Sequence, residues 1–252
     1  MNFLSRYLYL LRKIYLTRDH RKSYSQFGED VALLSLLGKD KLRGYRGMFD
    51  GYSGFFVDVG CYHPIKHSNT WVLYKRGWRG VNIDIDAIKI QAFDMVRKQD
   101  MNIVAAVSPE PGEIDVYRFG KYSLLTTLDE DTARKYEEDY GKQATVDKVA
   151  ARSLTDIIDD TGFAGRQIDV LTVDAEGHDL QVISSLDFER YRPRVVLAES
   201  HEREIDKVQQ TELHRFLESK GYGVVNWVGF TLFYTYQPVD EIHREHNEKS
   251  AR

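Results

Sequence analysis

Short apolar runs rich in Val and Ile alternate with segments of helical pattern through most of this chain of 252 residues. Such runs, bounded by Gly, Pro and Asp, predict buried strands, and the segments between them predict helices. The predicted strands are Phe55–Val59, Gly80–Asp84, Met101–Val107, Gly112–Phe119, Ile168–Val173, Arg194–Ala198, Tyr222–Val228 and Phe230–Tyr236. The predicted helices are Val31–Leu37, Asn69–Arg76, Ala87–Gln99, Leu154–Asp160, His178–Leu186 and Glu212–Lys220. This alternation indicates an α/β fold with a mostly parallel sheet, helices on both faces and a C-terminal antiparallel hairpin.

The pattern also predicts the division of the chain into segments. One domain is expected over residues 23–240, since no internal repeat or low-complexity linker indicates a second one. Residues 120–148 interrupt the alternation with two runs of acidic residues, and we interpret them as an insertion or a lid. Residues 241–252 are a polar tail.

Residues 1–22 form a separate basic segment, in which Leu4, Leu8, Leu11 and Tyr15 recur at helical spacing. The spacing predicts an amphipathic helix that packs on the domain or on another subunit of a homo-oligomer. The alternative is a helix that rests on an anionic membrane surface, at the inner face of the membrane. Because Arg and Lys interrupt the apolar positions and no small-residue cleavage site follows, we do not expect a signal peptide.

Composition and charge narrow the classes of function. A net charge of −4 argues against a protein that binds nucleic acid through its phosphates. Cys61 is the single cysteine, which excludes an internal disulfide and any multi-cysteine metal site. No apolar run reaches the length of a transmembrane helix. We therefore expect a cytoplasmic protein without a nucleic-acid partner.

Four acidic residues come at the ends of predicted strands, namely Asp58, Asp84, Asp174 and Glu199. In open α/β sheets, ligands bind beyond the carboxyl ends of the strands, so these side chains are expected at one rim. Asp58 and Asp84 fit a ligand with a ribose and a cationic group, because a carboxylate after the second strand can accept hydrogen bonds from ribose hydroxyls. The alternative for Asp84 is an N-cap of the next helix, but Asp86 is better placed for that role.

The turn after the first strand distinguishes between cofactors. Gly60 allows a ligand to approach the backbone, but Cys61-Tyr62-His63-Pro64 follows it in place of a Gly-x-Gly-x-x-Gly pattern. A dinucleotide pyrophosphate requires those glycines and a free helix N-terminus. A cofactor without phosphates fits better, and S-adenosylmethionine is the candidate.

Acids and a histidine crowd the turn from Asp174 to Asp179. Such crowding costs electrostatic energy unless a cation, a proton or hydrogen bonds offset it, and it can tune a group as a general base. His178, Asp174 and Glu176 are the candidate catalytic residues. The alternative is structural: Asp179 caps the helix, while Glu176 and the acid at the next strand end accept hydrogen bonds from backbone amides.

A second acid–histidine pair, Glu199 and His201, follows the next strand. Together with Asp174 these residues offer oxygen and nitrogen ligands that suit Mg²⁺ or Mn²⁺. A divalent metal at Asp174, Glu199 and His201 is therefore a second expectation for this rim, beside the structural alternative.

Several motifs in order resemble the FkbM family of S-adenosylmethionine-dependent methyltransferases. The resemblance runs from Ser25 to about Glu202. It is carried by Ser25-Gln26-Phe27-Gly28-Glu29-Asp30, Phe56-Val57-Asp58-Val59-Gly60, Ser68-Asn69-Thr70, Leu73-Tyr74, Gly77-Trp78-Arg79-Gly80-Val81, Ile168–Leu180 and Pro193–Glu199. It implies a class I, Rossmann-like methyltransferase fold with the cofactor at the first two strand ends. The residues that it implies beside the cofactor are Gln26, Asp58, Gly60, Asn69, Asp84 and Asp174.

Members of this family typically methylate hydroxyl groups. The resemblance thus implies an O-methyltransferase that modifies carbohydrate, with a sugar of a glycan, glycolipid or nucleotide-sugar as the acceptor. One alternative is a macrolide-type natural-product acceptor, and another is a binding module of the same fold that lacks catalysis. A nicotinamide oxidoreductase is disfavoured by the missing glycines. The chain departs from the family at Asp84, where glutamate is frequent, and at Cys61, where a small residue is usual; neither change removes a required group.

Overall fold

The computed structural model describes residues 3–15, 22–37, 53–120, 126–236 and 238. The strands are β1 (Phe55–Val59), β2 (Arg79–Asp84), β3 (Met101–Val104), β4 (Ala106–Val107), β5 (Gly112–Arg118), β6 (Thr126–Thr127), β7 (Thr145–Arg152), β8 (Val170–Val173), β9 (Val195–Glu199), β10 (Gly223–Val228) and β11 (Thr231–Thr235). The helices are α1 (Phe3–Tyr15), α2 (Glu29–Leu37), α3 (Trp71–Tyr74), α4 (Ala87–Val96), α5 (Glu130–Tyr140), α6 (Leu154–Asp159), α7 (Asp179–Ser184), α8 (Ile205–Val208) and α9 (Glu212–Ser219).

The principal sheet has the strand order β10-β11-β9-β8-β1-β2-β3. Strands β3, β2, β1, β8 and β9 pair in parallel, with Val57 of β1 opposite Val81 on one side and Leu171 on the other. Strand β11 is antiparallel to both β9 and β10. The mixed α/β fold is thereby confirmed, and the last two strands are antiparallel to each other, as predicted.

Side chains of β1 alternate between two apolar cores, as the pleat of a strand requires. Phe55, Val57 and Val59 pack with apolar residues of α6, α7 and α9. Phe56 faces the opposite side and packs with leucines of α2 and with α3. All five residues of β1 are buried, which places the strand at the centre of the molecule. The ends of this strand and its neighbours are therefore held in fixed positions.

A second, four-stranded sheet has the order β4-β7-β5-β6. The prediction of one strand over 101–107 is wrong, because the chain leaves the principal sheet at Ala105: β3 pairs with β2, whereas β4 pairs with β7. Within the segment interpreted as an insertion or lid, α5 contains both acidic runs, and β7 pairs with β5 along its whole length. Asp129 caps α5 at its start and Gly141, in a left-handed conformation, ends it.

Helix α1 covers part of the predicted basic segment, and residues 16–21 lie outside the described residues, as do residues 241–252 of the predicted tail. Leu4 and Leu8 are more than half exposed on α1. Among the helices described, none combines the length and the apolar character needed to cross a bilayer.

Candidate active site

The carboxyl ends of β2, β1, β8 and β9 meet at one edge of the principal sheet, because these strands are adjacent and parallel. A cavity of about 130 Å³ opens there. Gly60 and Asp84 line it from the first two strand ends, and Asp174 and Glu176 line it from the turn after β8. The structure thus brings together four of the residues that the sequence singled out.

One wall of this cavity is apolar and belongs to both sheets. Ile83 and Ile85 flank the end of β2, and Ala105 and Val107 line the cavity from the crossover between the sheets. The segment 126–128 closes the far side. A flat apolar slot next to a carboxylate is the environment that a nucleoside base and its ribose require.

Asp84 is buried with its carboxylate at the cavity, where it accepts hydrogen bonds from the backbone N–H groups of Tyr62 (3.2 Å) and Asp86 (2.9 Å). Burial raises the pKa of Asp84, while Lys89, 3.7 Å away, opposes that rise. The N-cap of α4 is Asp86, whose side chain accepts from the N–H of Ile88 at 2.8 Å. Asp84 is therefore not the cap, and its carboxylate faces the cavity.

Gly60 lies where the turn after β1 crosses the end of β8. Its φ is +73°, and a Cβ added at this position would overlap the carbonyl oxygen of Asp174. Its N–H donates to the carbonyl of Ile83 at 2.9 Å, which ties the turn to β2. Only glycine satisfies both the left-handed conformation and the close approach.

Three residues other than glycine have positive φ in the described part of the chain, namely Tyr62 (55°), His67 (50°) and Glu176 (50°). Tyr62 and Glu176 line the first cavity, and His67 lines the second one, described below. Backbone in sparsely populated regions costs about 1–3 kcal/mol per residue and concentrates at functional sites. Its placement here supports the identification of the rim as the functional site.

Asp58 lies beneath the turn and lines neither cavity. Its carboxylate accepts a hydrogen bond of 2.5 Å from the Thr70 hydroxyl, which in turn accepts one of 2.7 Å from the guanidinium of Arg97. Burial raises the pKa of Asp58, and the positive charge of Arg97 opposes that rise. The expected cofactor residue is thus part of a buried polar network that supports the turn.

A second, smaller cavity of about 30 Å³ shares Asp174 with the first. Gln26 and Asn69 line it, and Asn69 also donates to the Thr172 hydroxyl at 3.3 Å. Glu199 lines it from the end of β9. The two cavities flank Asp174, so a ligand extending from one to the other would pass over its carboxyl group.

The side chains of Asp174 and Glu199 are close enough for each to change the pKa of the other. Desolvation by the surrounding groups, and then the neighbouring Glu199 and Glu176, raise the pKa of Asp174 well above its usual value, although the residue is exposed at the cavity. Burial and then Asp179 raise the pKa of Glu199 to about 7. Burial also raises the pKa of Asp179 to about 7, although it accepts a hydrogen bond of 2.7 Å from the N–H of Ala175.

His178 precedes α7 and lines neither cavity. Burial lowers its pKa, against a smaller effect of Asp129, so the imidazole is neutral at neutral pH. Its Nδ1 atom is buried and has no hydrogen-bond partner. The ring therefore lies between the acid cluster of the rim and the capped start of α5.

The expected metal site is not formed. His201 Nε2 lies 3.8 Å from a Glu199 oxygen, which is an ion-pair distance, and its side chain is 71% exposed. No group of three or more His, Cys, Asp or Glu side chains among the described residues has the arrangement of a metal site. The physical reason is that the His201 side chain is mostly exposed to solvent and does not line the cavity that Asp174 and Glu199 share.

Two contributors to the site were not predicted from the sequence. Lys89 approaches Asp84 from the first turn of α4, and its ammonium lies 5.3 Å from the centre of the Tyr62 ring. Arg97 is completely buried and donates to Pro64, Ser68 and Thr70 of the turn above β1. The one available signal for Arg97 was an arginine directly after the apolar residues Met95 and Val96.

The comparisons with known proteins agree with this geometry. The family model described as the methyltransferase FkbM domain matches residues 58–224, well over half of the chain. No match was found among the curated proteins. A domain of this family implies S-adenosylmethionine as the methyl donor, and the matched residues include Asp84, Asp174 and Glu176 of the first cavity and Glu199 of the second. The chain belongs to the FkbM family of methyltransferases, the family that its motifs resemble.

Proposed function

We propose that this methyltransferase transfers a methyl group to a hydroxyl group of a sugar. In this proposal the first cavity holds the nucleoside of the donor, and the second receives the amino-acid end of the donor beside the acceptor hydroxyl. The observation that carries the proposal is the placement of Asp174 in the lining of both cavities, with Glu199 in the lining of the second. A carboxylate whose pKa lies near 7 can accept the proton of a hydroxyl group at neutral pH.

The residues of the first cavity fit S-adenosylmethionine. Asp84 would accept hydrogen bonds from the ribose hydroxyls, and the apolar wall around Ile85 and Val107 would contact the adenine. When bound, the cofactor supplies an activated methyl group on a positively charged sulfonium. The acid cluster offsets that charge: Glu199 and Glu176 raise the pKa of Asp174, and Glu176 also raises that of Glu199, so a cation among them relieves the repulsion.

The second cavity supports the remaining assignments. Gln26 and Asn69 offer amide groups that would bind the amino-acid end of the cofactor. Glu199 lines the same cavity and would take the hydroxyl proton while Asp174 orients it. His178 is the other candidate base, because it is neutral with an unpartnered Nδ1, and it would act if the segment around α5 brought the acceptor to it.

A binding experiment tests the donor, and a transfer experiment tests the acceptor. Isothermal titration with S-adenosylhomocysteine should show binding, whereas NAD should show none; binding of NAD alone would overturn the methyltransferase assignment. Methyl-labelled S-adenosylmethionine is then incubated with a panel of methyl glycosides and with a macrolide aglycone. Label transferred to the macrolide but to no glycoside would reject the sugar acceptor and favour the natural-product alternative.

Substitutions distinguish the candidate bases. We expect Glu199→Gln to lower kcat by about 10²–10⁴-fold, the usual contribution of a general base, with little change in the affinity for S-adenosylhomocysteine. His178→Ala should leave kcat within a few-fold of the wild type if Glu199 is the base. The opposite ranking of the two variants would assign the role to His178.

A further inference from the structure

Two phenylalanines form an exposed aromatic surface beside the second cavity. The ring centres of Phe27 and Phe230 are 5.6 Å apart, with an angle of 56° between the rings, and both residues line the cavity. Phe27 is half exposed. Aromatic rings at the mouth of a cavity leave apolar surface in contact with water, which is unfavourable unless a ligand covers them.

The surrounding backbone holds this surface in place. The N–H of Phe27 donates to the carboxylate of Glu29 at 2.7 Å. Gly229, with φ of +60°, passes so close to the ring of Phe27 that a Cβ there would overlap it. Phe230 is anchored through its carbonyl, which accepts a hydrogen bond of 2.7 Å from the N–H of Ser200. The two rings are therefore positioned before any ligand binds.

A cation lies against the outer side of the same surface. The guanidinium carbon of Arg203 is 4.0 Å from the centre of the Phe230 ring, and the residue is exposed. Within the part of the chain that the structure describes, Arg203 has no carboxylate in ion-pair range, whereas nearby Lys207 pairs with Glu204 at 2.6 Å. A guanidinium stacked on an aromatic ring keeps its donor edge free for a carboxylate or a phosphate.

We infer that Phe27, Phe230 and Arg203 bind a sugar ring of the acceptor that carries an anionic substituent. This inference rests on the proposed function and adds the charge and the orientation of the acceptor. The C–H face of a pyranose ring is apolar and can cover the two phenyl rings, while its hydroxyl groups project sideways toward polar partners. The anionic group lies on Arg203, and a hydroxyl on the other side of the ring faces Asp174.

The charges at the rim permit only this orientation. The cavity itself contains the carboxyl groups of Glu29, Asp174 and Glu199, which would repel an anionic substituent. The guanidinium of Arg203, which lies over the Phe230 ring and does not line the cavity, is the attractive partner. A negative charge on the acceptor therefore directs its charged end outward and its neutral hydroxyl inward.

Binding of three small glycosides tests the inference in the full chain saturated with S-adenosylhomocysteine. The probes are methyl β-D-glucuronide, glucose 1-phosphate and methyl β-D-glucoside, and their affinities are measured by saturation-transfer NMR. We expect both anionic probes to bind about 5- to 10-fold more tightly than the neutral glucoside, as a partly exposed charge-assisted hydrogen bond predicts. A carboxylate preference or a phosphate preference between the two anions would identify the kind of substituent.

Three variants test which residues bind the probes. Arg203→Gln should remove the preference for the anionic probes, and Phe230→Ala should weaken all three probes by at least about tenfold. Arg192→Gln is the matched control, because Arg192 also lies over an aromatic ring, 4.2 Å from the centre of Tyr236, but beside the opposite end of β9. The Arg192→Gln variant should bind all three probes with the affinities of the wild type.

The outcomes separate this inference from the proposed function. Equal affinity for charged and neutral probes, or an unchanged affinity in Phe230→Ala, would overturn the inference while the binding of S-adenosylhomocysteine stands. Binding of no probe by a chain that binds S-adenosylhomocysteine would overturn it as well. Failure to bind S-adenosylhomocysteine would instead reject the proposed function itself.

Discussion

The carboxylate of Asp58 and the guanidinium of Arg97 share the hydroxyl group of Thr70, which donates to the first at 2.5 Å and accepts from the second at 2.7 Å. Arg97 also donates to the carbonyl of Pro64 and the hydroxyl of Ser68. These contacts connect the end of α4 to both ends of the turn above β1. The turn that carries Tyr62 and Asn69 to the cavities is thus fixed from below by one buried cation.

Replacing this cation should destabilise the protein strongly. Arg97→Met leaves the buried carboxylates of Asp58 and Asp100 without their charge partner, and we expect the free energy of unfolding to fall by about 3–5 kcal/mol. Arg97→Lys keeps the charge but cannot bind three acceptors at once, so it should retain the fold and weaken the binding of S-adenosylhomocysteine. Urea denaturation and titration calorimetry measure the two effects.

An exposed arginine provides the control for this experiment. Arg134 of α5 pairs only with Glu130 and Asp131 on the surface, and its side chain is 65% exposed. Arg134→Met should change the free energy of unfolding by less than about 0.5 kcal/mol. Equal losses in Arg97→Met and Arg134→Met would show that the buried network does not stabilise the turn.

The raised pKa of Glu199 predicts a pH dependence of stability. Burial raises its pKa from a usual 4.5 to about 7, so between these values the folded protein binds more protons than the unfolded chain. The free energy of unfolding should therefore fall as the pH rises from about 4.5 to about 7. Glu199→Gln should reduce that fall by about 1 kcal/mol, less than the full linkage because the group is partly solvated.

Asp159 provides the contrast for this prediction. A hydrogen bond from Arg190 lowers the pKa of Asp159, so its contribution to stability is lost only as the pH falls below the usual range of an aspartate. Asp159→Asn should leave the slope between pH 5 and pH 8 unchanged. Urea denaturation at four values of pH measures both slopes, and parallel curves for the wild type and Glu199→Gln would contradict the assignment.

Substitutions at Asp84 and Asp86 should have different effects, the first on ligand affinity and the second on stability. Asp84→Asn retains the shape of the side chain but removes the charge at the ribose position, and we expect the affinity for S-adenosylhomocysteine to fall by at least about tenfold. Asp86→Ala removes the N-cap of α4 and should cost about 1 kcal/mol of stability. If both variants lose affinity to the same extent, Asp84 acts through the local structure and not through a ligand.

The exposed leucines of α1 predict contact with a membrane surface. Leu4 and Leu8 lie one helical turn apart, and the exposed Arg6 and Arg12 supply positive charge on the same helix. We expect the protein to sediment with vesicles that contain anionic lipid and to remain in solution with zwitterionic vesicles. The variant Leu4→Ser with Leu8→Ser should lose sedimentation. Retained sedimentation in that variant would place the contact elsewhere.

The principal sheet could be predicted because each of its inner strands carries its own local signal. The runs of β1, β8 and β9 are mostly apolar and are followed by an acid or glycine, which is typical of strands buried on both faces. The break at Ala105 was not predictable, since the run 101–107 is apolar across it. What divides the run is a pairing with β7, some forty residues later in the chain.

In the candidate site, too, some residues could be predicted from the local sequence, whereas others depend on contacts with distant parts of the chain. Asp84 and Asp174 end strands, so topology alone places them at one rim. The metal site is not formed because His201 lies outside the cavity that Asp174 and Glu199 share, a relationship between two strand ends that no spacing encodes. Arg97 acts through acceptors about thirty residues earlier in the chain and leaves no pattern around itself.

Because the chain crosses from the principal sheet to the small sheet at Ala105, the proposed cofactor cavity lies between two structural units. Arg118 of the small sheet donates to the carbonyl of Ile85 and lies 3.5 Å from Asp86. These contacts connect the two units beside the proposed ribose position. Most residues proposed to contact the donor belong to the principal sheet and its loops, while Val107 and residues 126–128 line the cavity from the small sheet. A chimera that exchanges only residues 129–144, which include α5 and leave those lining residues in place, should keep its donor and change its acceptor.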